Sequence, residues 1–142
     1  IVVTNRSKPR LEAIERIFSA LTPGGIELCY YLCPTAGDND AVLATLPPHS
    51  LVVNATGLGK DQPGSPLTDA ALFPEDSLAW EINYRGDLKF MHQARAQQAG
   101  RRLAVEDGWM YFIFGWTQVI AEVFHTEIAD DMLSELSRLA KL

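Results

Sequence analysis

Two short stretches carry residue types that could hold a phosphorylated ligand. The first is Asn5-Arg6-Ser7-Lys8-Pro9-Arg10, which follows an apolar run; the second is Asn54-Ala55-Thr56-Gly57-Leu58-Gly59-Lys60, which follows Leu51-Val52-Val53. A guanidinium such as that of Arg6 can stack on an adenine ring while pairing with a phosphate, and Lys8 or Arg10 can add a second charge. Small side chains at Ala55, Thr56, Gly57 and Gly59 let a flat ligand lie against backbone amides and the Thr56 hydroxyl. In a dinucleotide-binding fold the second strand usually ends on an acid that holds the adenosine ribose and repels a 2′-phosphate. Asn5 stands there instead, with cations behind it, so NADP fits better than NAD. Positive charge at a helix N-terminus opposes the helix dipole, and an anion there would relieve it. Each stretch also has a plainer reading: a solvated helix start in the first case, a tight turn without ligand in the second.

Both stretches need strands to position them. Ile1 to Thr4 reads as a core strand, and the Asn5 to Arg10 turn starts a helix with Ser7 or Asn5 as cap and Pro9 in its first turn. Leu11, Ile14, Ile17, Phe18 and Leu21 recur at helical spacing until Thr22-Pro23-Gly24-Gly25 ends the helix. A strand over Ile26 to Leu32, a loop over Pro34 to Asn39 and a short helix over Asp40 to Leu46 follow. Leu51 to Val53 is apolar on both faces, as a strand covered by helices on each side requires. Strand, helix, strand, helix, strand points to a parallel sheet with crossover connections. Beyond it the pattern predicts a polar loop over Asp61 to Pro66 and a short helix over Leu67 to Phe73. Next come a strand over Ser77 to Asn83, a helix over Leu88 to Ala99 stopped by Gly100, and a short strand over Arg102 to Val105. Trp109 to Phe124 is almost wholly apolar, which predicts a helix buried between the sheet and another layer. Glu127 to Leu142 predicts a final amphipathic helix with Ile128, Met132, Leu136 and Leu139 on its stripe.

Composition bounds the function. At 142 residues, 47% hydrophobic and 21% charged, the chain suits one ordinary globular domain. A net charge of −6 argues against a general binder of nucleic acid. No apolar run approaches the roughly 18 residues that span a bilayer, and no signal-peptide pattern opens the chain, so no membrane partner and a cytoplasmic location are expected. Cys29 and Cys33, four apart on one strand, would lie about 13 Å from each other, too far for a disulfide, and read as buried free thiols. No nucleophile elbow, P-loop or metal-spaced histidine pair is present, and His49, His92 and His125 are scattered singly. No metal site is expected. A homodimer is compatible with the sequence but not required by it.

Four motifs in order resemble the shikimate and quinate dehydrogenases. Asn5-Arg6-Ser7 is similar to that family's Asn-Arg-Thr, and Asn54 to Gly59 to its Asn-Ala-Thr-Pro-Leu-Gly. Glu81 with Tyr84 resembles its Asp-x-x-Tyr strand end, and Asp107-Gly108 before an apolar helix resembles its Asp-Gly-x-x-Met-Leu. The resemblance covers essentially the whole chain, but only the cofactor half of a two-domain enzyme. It implies a Rossmann-like, doubly wound α/β fold and reversible hydride transfer between NADP and a hydroxylated cyclohexene carboxylate, a step in aromatic amino acid biosynthesis. By matched position Asn5, Arg6 and Ser7 would hold the adenosine phosphate, with Lys8 and Arg10 nearby. Asn54, Ala55 and Thr56 would face the central dinucleotide, Gly108 the nicotinamide, and Tyr84 and Gly115 the substrate. The family's catalytic Lys and Asp lie in a preceding substrate-binding domain, so no catalytic residue is assigned here; Lys60 and Asp61 are not their equivalents. The family's Gly-rich loop after the first strand has no counterpart.

Departures leave the substrate open. Gly86 stands where the family usually has Pro, Lys89 where it has Thr, and Gly115, beside Trp116, where it offers a Gln. Two other classes fit the same motifs: a non-catalytic nucleotide-sensing or interaction domain, and the cofactor domain of a glutamyl-tRNA reductase. In a sheet of order 3-2-1-4-5-6 this chain would begin at the second strand. Ile1 to Thr4 and Leu51 to Asn54 are then expected to leave unpaired central edges, and the chain alone is expected to bind NADP weakly and to need an upstream segment.

Overall fold

The computed structural model describes residues 1–21 and 24–140, so the helix end expected over Thr22 and Pro23 and the last two residues of the final helix lie outside the described residues. The described chain is α/β. In order it runs β1 (Val2–Asn5), α1 (Lys8–Ala20), β2 (Cys29–Leu32), α2 (Ala36–Leu43) and β3 (Leu51–Asn54). It continues through β4 (Leu78–Glu81), α3 (Lys89–Arg101), β5 (Ala104–Glu106), α4 (Trp109–Phe124) and α5 (Asp130–Leu139). All strand pairs are parallel, but they form two sheets, β1-β2 and β3-β4-β5.

The flanking hydrogen bonds fix which way each strand's backbone faces. Cys29 N–H donates to Ile1 O and Cys33 N–H to Asn5 O, so the odd residues of β1 point their polar groups at β2. Leu78 N–H donates to Ser50 O and Ile82 N–H to Asn54 O, so the even residues of β3 point at β4. The backbone groups of Val2, Thr4, Leu51 and Val53 therefore face away from their only described partners. Leu51 is 56% exposed and Val53 39%. The expected fully covered β3 strand is thus half open, because no described strand lies on its second edge.

The buried apolar cluster packs against β3 and β4, and its Leu43, Leu67 and Phe90 also line the space along the open edge of β3. It joins Leu43 of α2, Ala79 of β4, Phe90 and Ala94 of α3, and Leu103 to three residues of the 67–73 segment, Leu67, Ala71 and Phe73. That segment was expected to be a helix and is irregular instead. Side chains from two helices satisfy its backbone in place of helical bonds: Asp40 accepts from Thr68 N–H, Gln93 donates to Leu67 O, and Gln97 both accepts from Phe73 N–H and donates to Ala71 O. Pro74 follows and holds Phe73 extended.

Other elements shift for identifiable reasons. Helix α2 starts at Ala36 rather than Asp40, because Thr35 and Asp38 form a reciprocal capping box. Gly100 lies inside α3, which ends instead at Arg102 in the left-handed region with φ 54°. Ser7 does precede α1, but its side chain makes no cap bond; its own N–H donates to Asn5 Oδ1 at 2.9 Å. On α1 only Leu11 is buried, and Ile17 and Leu21 of the expected stripe are exposed. Helix α4 has the expected bounds and not the expected burial. Among the described residues Ile113 and Thr117 are buried, while Phe114, Trp116, Val119 and Phe124 face outward; α5 is the element that packs most along the helix, with Trp80 of β4 edge-on to Tyr111 near its start. On α5 the buried residue is Leu133, while Met132 and Leu139 are exposed. Cys33 is buried, just beyond β2, and Cys29 half-buried; both are free thiols.

Candidate functional site

The two polar stretches meet. Asn5, Arg6, Ser7 and Arg10 from the β1–α1 turn and Ala55, Thr56 and Gly57 from the loop after β3 line one cleft of about 620 Å³ at the C-terminal ends of the strands. That is within the roughly 300 to 1,000 Å³ of small-molecule sites. The strand-to-helix turns put them there, because a strand's C-terminal end in a parallel sheet opens onto the following loop. Neither Arg6 nor Arg10 has an ion pair to another described residue, so two guanidinium charges are free to meet an anion. Lys8 does not line the cleft and lies 3.9 Å from Glu12, one turn along α1. A Cβ on Gly57 would meet nothing within 4 Å, so the cleft is open at that point.

Residues outside the expected set complete the wall. Thr35 and Ala36 at the start of α2, Cys33 and Asn39 also face the cleft. Burial pushes the Cys33 thiol pKa up, and nearby Asp38 adds to the shift. Asn39 donates to Pro66 O at 3.0 Å, while its buried Oδ1 has no hydrogen-bond partner among the described residues. The capping pattern Thr-x-x-Asp at 35 to 38 was the available signal for this wall.

Asn54 does not face the cleft. It is buried and ties the loop to β4: its Nδ2 donates to Glu81 Oε2 at 2.8 Å, and its Oδ1 accepts from the backbone N–H and hydroxyl of Thr56 at 3.0 and 2.7 Å. Glu81 is fully buried, and its Oε1 accepts from the backbone and side-chain amides of Asn83 at 3.0 and 2.7 Å. Asn83 also donates to Thr56 O and Leu58 O. Burial pushes the Glu81 pKa up, opposed by the bonds from Asn54 and Asn83. Every group facing the carboxyl is a donor, which suits the carboxylate form. The network sets the shape of residues 54 to 58.

Gly108, Tyr84 and Gly115 lie away from the cleft. Gly108 N–H donates to Asn83 O at 3.2 Å, and a Cβ there would overlap the Ile82 carbonyl, so only Gly lets α4 start against β4. Tyr84 stacks on Phe112 with ring centroids 3.9 Å apart, and Lys60 Nζ sits 5.5 Å from its centre. Gly115 borders an aromatic hollow of about 320 Å³ with Tyr111, Phe112 and Trp116. Phe112 links the two groups. Gly86 has φ 91°, a conformation closed to the Pro found in the resembling family. Lys89 pairs with Asp69 at 3.0 Å. Asp61 is held by Arg85 at 2.9 Å and Lys60 at 3.4 Å.

Comparison with protein-family models, with curated proteins and with solved structures gives no match for this chain. Among the described residues no helix is long and apolar enough to cross a membrane.

Proposed function

We propose that this chain is the NADP-binding, Rossmann-like part of a shikimate-dehydrogenase-like oxidoreductase that acts together with a substrate-binding domain. One observation carries the reading: stretches some 50 residues apart, each with residue types suited to a phosphate or a dinucleotide, line the same cleft, and neither Arg6 nor Arg10 in it is ion-paired to another described residue. Arg6, Ser7 and Arg10 would hold the adenosine phosphate, and the loop shaped by Asn54 and Glu81 would present Thr56 and the Gly57 backbone to the centre of the dinucleotide. When bound, the nicotinamide supplies a hydride acceptor or donor for a ring alcohol or carbonyl. Tyr84 and the Phe112 face would border that substrate, at a hydroxylated cyclohexene carboxylate of the shikimate or quinate type.

Sheet order supports the same reading. Set against strand order 3-2-1-4-5-6, the observed β2-β1 and β3-β4-β5 supply places 3-2 and 4-5-6, with place 1 falling between β1 and β3.

The test is calorimetric titration of NADP and NAD into the protein joined to a substrate-binding domain. Tighter binding of NADP by at least tenfold, together with NADP-dependent oxidation of shikimate or quinate, supports the proposal. Equal affinities overturn it, and NADP binding without turnover on any ring alcohol favours a nucleotide-sensing role.

A further inference from the structure

We propose that the space between β1 and β3 is an acceptor site for one extended apolar strand, parallel to both and supplied by polypeptide outside residues 1–142. The proposal deepens the functional reading above, and rests on it only for what lies beyond the strand's far end.

The space is a cavity of about 410 Å³ lined by all four residues of β1 and all four of β3. Thr4 and Asn5 of β1 and Ala55 and Thr56 after β3 also share the neighbouring cleft, so both strands end at the same side and run the same way. Val2 and Thr4 on one side, and Leu51 and Val53 on the other, carry backbone groups that face away from β2 and β4. Leaving such rows unpaired beside apolar walls is costly, and one strand between them would pair both rows together. A helix presents no free backbone edge and could pair neither. The outer edges of β2 and β5 are single edges and lack this second row.

The walls specify the occupant. Ile14, Val42, Leu46 and Phe90 line the cavity, so about four residues of branched apolar type fit, without charge. At the cleft end the unpartnered Oδ1 of Asn39, which borders both cavity and cleft, calls for a donor from the residue that follows the strand. The occupant thus ends by turning into the cleft that holds Arg6, where a backbone amide would join the phosphate site.

A fusion tests this. Val-Val-Leu-Val is joined to Ile1 through about 20 Gly/Ser residues, whose root-mean-square span of about 25 Å exceeds the roughly 13 Å the linker must run back. Such a tether gives a millimolar effective concentration. Amide exchange is compared with a fusion in which Gly/Ser replaces the strand. The expected result is at least tenfold slower exchange at Val2, Thr4, Leu51 and Val53, with the outer edges of β2 and β5 unchanged. Val53→Pro, and separately Thr4→Pro, each remove one inward N–H without taking a bond from β2 or β4, and should abolish the gain. Unchanged exchange, protection at the outer edges alone, or concentration-dependent protection in the Gly/Ser control, which would place a second copy in the space, overturns the proposal. NADP titration of the same fusions is read separately: strand protection without NADP affinity sinks the cofactor reading alone, and NADP affinity without strand protection sinks the strand alone.

Discussion

Asn54 and Glu81 stand opposite each other in the parallel β3–β4 register and are joined by a buried 2.8 Å bond from the Asn54 amide to the Glu81 carboxylate. Since Asn54 also accepts from both Thr56 donors, one amide fastens a buried charge to the turn that lines the cleft.

Asn54→Ala should therefore cost about 3 kcal/mol, because it strands a carboxylate oxygen and two Thr56 donors. Chemical denaturation checks this. A loss below about 0.5 kcal/mol would mean that water or a shifted side chain replaces the amide without penalty.

Glu81 gives a pH signature. Its pKa is raised in the folded chain, first by burial, so its contribution to stability is full below the unfolded value of about 4.3 and is lost as pH rises through the folded value. Wild-type protein should lose stability across that window relative to Glu81→Gln, which cannot titrate. Asp38, Asp69 and Asp76, whose pKa values are lowered by hydrogen bonds, act with the opposite sign and below the ordinary carboxylate range, so they do not mask it. Denaturation of both proteins from pH 4.5 to pH 8 measures the difference, and a constant gap would refute the assignment.

Arg6→Ala should weaken NADP binding by about 10-fold to 150-fold and leave NAD binding unchanged, as expected for one charged hydrogen bond worth about 1.5 to 3 kcal/mol. Calorimetry on the protein joined to a substrate-binding domain reads this directly. Equal loss for both dinucleotides would move Arg6 away from the 2′-phosphate.

Tyr84→Phe keeps the stack on Phe112 and removes only the hydroxyl. Turnover of the ring alcohol should fall while NADP affinity holds. Steady-state kinetics with unchanged substrate parameters would take Tyr84 out of the substrate wall.

How much of this was legible in the sequence depends on whether the deciding partner was close in the chain. The β3 strand and the α4 helix were read to within a residue, since Leu51 to Asn54 and Trp109 to Phe124 are bounded by abrupt local changes. That Arg6 and Thr56 line one cleft was expected from the positions their motifs hold in the resembling family, not from composition or spacing. The Asn54–Glu81–Asn83 network was not legible, because it depends on register between strands 27 residues apart. The 67–73 segment was misread for a related reason: its composition suits a helix, but Asp40, Gln93 and Gln97 satisfy its backbone from a distance. The burial expected for α4 and β3 failed where apolar pattern was taken to guarantee cover. Leu51 and Trp116 are apolar and exposed, since pattern states what a surface is made of and not whether a neighbour is there.

The buried cluster that unites α2, β4 and α3 contains no residue of β1, α1 or β2. The arginines that would read the phosphate are therefore carried by the unit the core holds least, which should fray first and melt as a separate, earlier step. If that unit is docked only part of the time, measured affinity falls by the docked fraction. Ligand affinity and local order then become one quantity: whatever pins β1 against β3 would sharpen binding without touching the ligand, and a dinucleotide bound in the cleft would act as a staple across the seam.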